Sequence, residues 1–234
     1  MSSKNKIEVF FLINLNKLCL YVFEGKEKTI FKKEVLIAEI KKEENFDDLL
    51  DNFFGENILK IEKEIKKFIN EINLIIFDQN FLLIQSSIKK KGEGDKIKKR
   101  DLNHMLFDLK QQIKENNLDK TITYMRINNF LIDNNKYLNI ENNFECDELC
   151  LQIDFICLPK KIIEDFSNKI KKYQIRVDKI FSAKYLNEYC SHHNENECEV
   201  AARLKYENDQ NEVHFIKKRI EKKGFFERFF RFFG

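Results

Sequence analysis

The stretch with the clearest chemical purpose is Gly224-Phe225-Phe226-Glu227-Arg228-Phe229-Phe230-Arg231-Phe232-Phe233-Gly234. On a helix, at about 100° per residue, the six phenylalanines fill an arc of roughly 160°, and Glu227, Arg228 and Arg231 take the other side. Residues 217–234 hold seven basic and two acidic side chains, a net +5, while the whole chain is +3, which leaves residues 1–216 at −2. An aromatic face backed by cations suits a lipid–water interface. Each Phe leaving water contributes about 1.5–3 kcal/mol, and each nearby cation about 1 kcal/mol on an anionic surface. Two readings are open. In one, Phe225, Phe226, Phe229, Phe230, Phe232 and Phe233 insert into an anionic membrane surface while Arg228, Arg231, Lys222 and Lys223 meet its headgroups. In the other, the segment packs on the domain's own core. Its place after a charged stretch favours the membrane.

Other reactive residue types are weaker candidates. Cys190, His192, His193 and Cys198 can all ligate Zn²⁺, but their spacing matches no standard zinc knuckle, and a mobile polar loop is the alternative. Cys146, Cys150 and Cys157 could form a redox set, yet Cys150 and Cys157 lie in a strand-like run and read as core residues. Asp47 with Asp48, and Asp101 with Asp108, read as surface carboxylates rather than acid–base pairs. Gly92-Glu93-Gly94 fits neither a phosphate loop nor a dinucleotide fingerprint, and no nucleophile elbow is recognisable. The expectation is a non-enzymatic protein with no catalytic, cofactor-binding or metal-binding residues and no cofactor. Lys89–Arg100, with seven basic and two acidic residues, could meet a phosphate backbone. It has no interleaved aromatics, so a solvated hairpin loop is preferred and no nucleic-acid partner is expected.

These segments need a body to carry them. The 234 residues suffice for one domain or two small ones, and 43 % hydrophobic residues suffice for a core. No run of about 18 apolar residues suggests a membrane span, and Met1–Lys6 does not resemble a signal peptide. The expected place is the cytoplasmic face of a membrane, with reduced cysteines. In order, the pattern predicts strands at 8–14, 17–23 and 29–37 and helices at 46–54 and 56–72, the second with Ile58, Ile61, Ile65, Phe68 and Ile69 inward. An apolar strand at 73–78 follows, then a strand-like run at 80–88 and the basic loop. Next come a helix at 101–116, strands at 121–127, 130–133 and 148–157, and a helix at 160–173 with Pro159 in its first turn. A strand at 174–181 and a helix at 183–189 precede a polar loop at 191–199 and a short helix at 200–206. This is an α/β chain in which a small α/β unit interrupts a larger one.

With those pieces placed, the chain resembles the bacterial cell-division protein FtsA, an actin-like membrane adaptor. Residues 8–37 look like that family's opening meander, and 46–79 like its helix and following strand. Lys98-Lys99-Arg100-Asp101-Leu102 resembles the entry into its inserted subdomain, and Ile122–Ile127 through Phe130–Asp133 resembles its paired strands. Ile175–Ile180 to Ala183 resembles its return strand, and Phe225–Phe233 its membrane-targeting helix. The resemblance implies a partial actin-like (ribonuclease-H-like) domain over 5–79 and 174–206 with an inserted interaction subdomain at 80–173. A charged linker at 207–223 and an amphipathic helix at 224–234 complete it. The family's first phosphate loop has Asp, Gly and Thr where this chain has Asn14-Leu15-Asn16-Lys17, so ATP binding is not carried over. Its second phosphate loop and FtsZ-binding subdomain have no counterpart here, so direct FtsZ tethering is not carried over either. The expected function is a peripheral adaptor of cell division, docked on an FtsA-like subunit or a downstream division protein. An actin-like assembly adaptor of a pilus or secretion system, or a nucleic-acid-binding protein using the basic loop Lys89–Arg100, is the alternative.

Overall fold

The computed structural model describes residues 6–25, 28–37, 45–91, 97–138, 143–144, 146–190, 195–206 and 212–213. Strands β1 (Ile7–Ile13), β2 (Lys17–Glu24), β3 (Lys28–Leu36), β4 (Glu71–Ile76) and β11 (Arg176–Ser182) make a five-stranded sheet in the order β11-β4-β1-β2-β3. β2 is antiparallel to both β1 and β3, whereas β1, β4 and β11 run parallel. A meander that feeds a parallel strand on its far side is the strand order of an actin-like, ribonuclease-H-like domain.

Both faces of this sheet are covered, which is why β1 and β4 read as continuous apolar runs rather than alternating ones. Helix α1 (Phe46–Ile65) and helix α3 (Lys160–Lys171) close one face, where Phe11, Leu20, Leu74, Phe54, Ile61 and Ile170 are buried together. Helices α4 (Ala183–Cys190) and α5 (Glu197–Tyr206) close the other, over Phe10, Leu12, Ile75 and Phe181. Edge strand β3 exposes Lys28, Lys32 and Lys33, a charged edge that discourages further pairing.

Between β4 and α3 the chain builds a second sheet, in the order β5-β10-β7-β8, from β5 (Leu82–Lys91), β7 (Lys120–Ile132), β8 (Asn135–Tyr137) and β10 (Glu148–Pro159). A short pair, β6 (Ile97–Lys98) with β9 (Asn143–Phe144), lies beside it. Helix α2 (Lys99–Asn116) covers one face, with Leu102, Met105, Leu106, Leu109 and Ile113 set against Leu151, Ile153 and Phe155. At its far end the other face meets helix α4 through Tyr124, Ile156 and Tyr185.

Several sequence expectations change. The helices expected at 46–54 and 56–72 are one helix. Gly55 does not break it; the Tyr173 ring approaches so closely that a Cβ at this position would lie 3.1 Å from it, and glycine makes room for that ring. The helix stops at Lys66, which adopts a left-handed φ of 54°. Phe68 therefore falls outside the helical stripe and is 85 % exposed. Pro159 is not in the first turn of α3 but caps it, as the last residue of β10. The strands expected at 121–127 and 130–133 form the single strand β7, with register shifts against β10 between Gln152 and Ile153 and between Ile156 and Cys157.

Candidate functional site

The main cleft opens where parallel α/β sheets characteristically hold ligands, beyond the carboxyl ends of the strands. β1 ends there in Ile13, Asn14 and Leu15, and β4 in Phe77 and Asp78. α1 contributes Phe46 and Asp47 from its first turn, and α3 contributes Ile162, Asp165, Phe166, Asn168 and Lys169. The space is about 540 Å³. Its floor is aromatic and aliphatic, formed by the half-buried Phe46, Phe77, Ile162 and Phe166. Its rim carries three carboxylates and one ammonium group. Lys169 Nζ lies 2.8 Å from an Asp47 carboxylate oxygen, so the one lining cation among the described residues is already paired.

Local structure explains these positions. The Asn45 side chain accepts the Asp48 backbone N–H at 2.9 Å, which starts α1 at Phe46 and turns its first residues toward the cleft. On α3, Ile162, Phe166 and Lys169 recur at i, i+4 and i+7, one helical face. In the β1–β2 turn the Asn14 N–H donates to the Lys17 carbonyl at 3.1 Å, and the Asn14 side chain accepts the Asn16 N–H at 3.3 Å. The turn thus uses its own polar groups internally.

A second polar surface lies on the open face of the inserted sheet. Gln85, Ser87, Asn128, Gln152 and Asp154 line a shallow 290 Å³ depression. Gln85 Nε2 donates to Asp154 at 3.4 Å, and Asn129 Nδ2 donates to Gln152 at 2.9 Å. The free edge strand β5 ends in Lys89, Lys90 and Lys91.

The residues singled out in the sequence divide sharply. Phe225, Phe226, Arg228, Phe229, Phe230, Arg231, Phe232, Phe233, Lys222 and Lys223 all lie outside the described residues, as do His192 and His193. Cys198, expected in a polar loop with them, is a buried core residue of α5. The physical reason is a capping box: the Asn196 side chain accepts the Cys198 and Glu199 N–H groups, and Glu199 accepts the Asn196 N–H at 3.0 Å. The helix therefore starts at Glu197 rather than at 200. Among the described residues no cluster of three or more His, Cys, Asp or Glu side chains could hold a metal ion. The basic loop is shorter than expected, because β5 continues to Lys91 and α2 begins at Lys99. Cys157 is core, whereas Cys150 is only half-buried and lies on the sheet face away from α2.

Burial raises the Cys19 thiol to about 12, reinforced by Glu34, and raises Cys157 to about 11. It also places Cys198 far above the ordinary thiol range. At pH 8 only about one Cys157 in a thousand is thiolate, the reactive form. Brief alkylation of the folded chain at pH 8 should label Cys150 and spare Cys19, Cys157 and Cys198, as read by mass spectrometry; equal labelling of all four would contradict this packing.

Comparison with known proteins finds no matching family model and no matching curated protein. Solved structures do match. The cytoplasmic domain of EpsL, an inner-membrane component of the Vibrio cholerae type II secretion system, matches 77 % of this chain and 59 % of its own, at 11 % identity and a TM-score of 0.36. The PilM–PilN type IV pilus biogenesis complex matches 82 % of this chain and 52 % of its own, at 7 % identity and a TM-score of 0.46. A Bacteroides thetaiotaomicron protein of actin-like ATPase fold and unknown function matches at 14 % identity and 0.33, over 81 % of this chain and 56 % of its own. The chain thus spans a little over half the length of the solved chains it matches.

Proposed function

We propose that this chain is a non-enzymatic, actin-like assembly adaptor, held peripherally at an anionic membrane surface and docked on a protein of a membrane-associated machine. The observation that carries it is one combination. An actin-like strand order has a β1–β2 turn with no acid or glycine to hold metal and phosphate, and the same chain contains the Phe-rich basic segment 224–234. Among the described residues no helix is long and apolar enough to cross a membrane. The inserted subdomain offers the partner its open polar face, bounded by the β5 edge. The pilus and secretion neighbours are named for assemblies of this kind, and the proposal stands on the strand order and tail rather than on them.

A division adaptor is the second reading, favoured by the similarity of Phe225–Phe233 to the FtsA membrane-targeting helix. Cross-linking in cells with the full chain as bait separates the two. Pilus or secretion assembly proteins support the first reading, and division proteins the second. Salt-sensitive recovery of nucleic acid alone, unaffected by Phe229→Glu with Phe230→Glu, would overturn both.

A further inference from the structure

The cleft beyond β1 and β4 has a composition that needs a particular kind of occupant. Among the described residues its floor is Phe46, Phe77, Ile162 and Phe166, and its rim holds Asp47, Asp78 and Asp165 against the paired Lys169. An anionic phosphate group is a poor match for that rim. An apolar segment flanked by cations is a good one. Residues 224–234 have this chemistry, with six phenylalanines, Arg228 and Arg231, preceded by Lys222 and Lys223.

We infer that residues 224–234 dock in this cleft of their own chain, so that cleft and membrane compete for the same phenylalanine face. The competition rests on the membrane role proposed above; the docking does not. Two observations commit the occupant. The first is charge complementarity, a rim with a two-charge acidic excess facing a segment that is net positive. The second is reach. The last described residue, Val213, donates its N–H to the Met125 carbonyl at 3.0 Å, beside Tyr124. The Tyr124 ring lies 5.4 Å from that of Tyr185 on α4, tilted by 42°, and α4 follows Ser182, which is paired with Ile76 next to the cleft residue Phe77. Residues 214–224 can extend to about 36–40 Å, which exceeds the roughly 30 Å diameter of a small domain and so allows the chain to pass from the α4 face around the strand ends.

With residues 224–234 seated, the cleft shields their aromatic face from water, and an anionic membrane draws them out. Apparent membrane affinity then falls by the fraction of chains that are open.

The test places the photoreactive analogue p-benzoyl-phenylalanine at position 229 of the full chain, irradiates dilute protein, and maps cross-links in the monomer by mass spectrometry. Cross-links to peptides containing Phe46, Phe77 or Phe166 are expected. Asp47→Lys with Asp165→Lys, both exposed side chains, should lower their yield about fivefold, the effect of losing two partly exposed charge contacts. Anionic vesicles should lower it as well. Monomer cross-links elsewhere, cleft cross-links confined to a dimer, or a yield unmoved by the rim variant would overturn the docking. Vesicle binding without any cleft cross-link would sink this inference and leave the adaptor reading standing. Cleft cross-links in a chain that ignores vesicles would do the reverse and would also end the proposed competition.

Discussion

Lys205→Met should lower stability by about 2 kcal/mol, less than the usual cost of stranding a buried carboxylate because Lys6, 2.5 Å from Glu8, still pairs with it. Lys205 sits on α5, and its ammonium group lies 2.6 Å from Glu8, 2.6 Å from Asp178 and 2.8 Å from the Asn73 side-chain oxygen. It therefore joins three strands, β1, β4 and β11, to one helix. Glu8 is 6 % exposed. Burial pushes its carboxyl up, but Lys205 and Lys6 outweigh that and hold it below 4.5. Asp178 is likewise held below 3.8, burial being outweighed by Lys205 and by more distant cations. Groups with depressed folded-state values stabilise the fold above their unfolded values, and that contribution is lost as pH falls through the folded ones. Stability should thus be level from pH 7 to about 5 and decline below about 4.5. In Lys205→Met the melting temperature should drop by about 4–8 °C at pH 7. Adding Glu8→Gln should recover part of it, because the buried charge that has lost one of its two cations is then gone. An unchanged melting temperature would mean that α5 is not held to the sheet in this way.

The second large effect concerns the membrane. Phe229→Glu with Phe230→Glu removes two inserting rings, about 1.5–3 kcal/mol together once halved for shallow burial, and sets two negative charges against an anionic surface at about 1 kcal/mol each. Partition into anionic vesicles should fall by about 300- to 4,000-fold. A variant that still sediments with vesicles would move the membrane contact elsewhere in the chain.

Much of the fold was legible in the sequence where local and tertiary demands agree. Val9–Ile13 and Leu74–Ile76 read as buried strands because no solvated face interrupts them. Reading failed where a tertiary partner overrides local grammar. Gly55 looks like a helix break until the Tyr173 ring is placed against it. Phe68 fits the helical stripe by spacing, but the chain turns left-handed at Lys66 before reaching it. The start of α5 could have been found, since Asn196-Glu197-Cys198-Glu199 is a capping sequence, and recognising it would have removed Cys198 from the metal set. The cleft could not be read in this way. Its lining comes from four separated segments, none with a motif of its own, and only the one-sided row Ile162, Phe166, Lys169 hinted at an unfilled face.

The central claim is that the folded body is carried to a membrane by residues 224–234. Its most direct test is co-sedimentation of the full chain, and of a version ending at Lys223, with anionic and with neutral vesicles. The account predicts that only the full chain sediments, and far more with anionic lipid. Equal behaviour of the two versions, whether both pellet or both stay in solution, would contradict it.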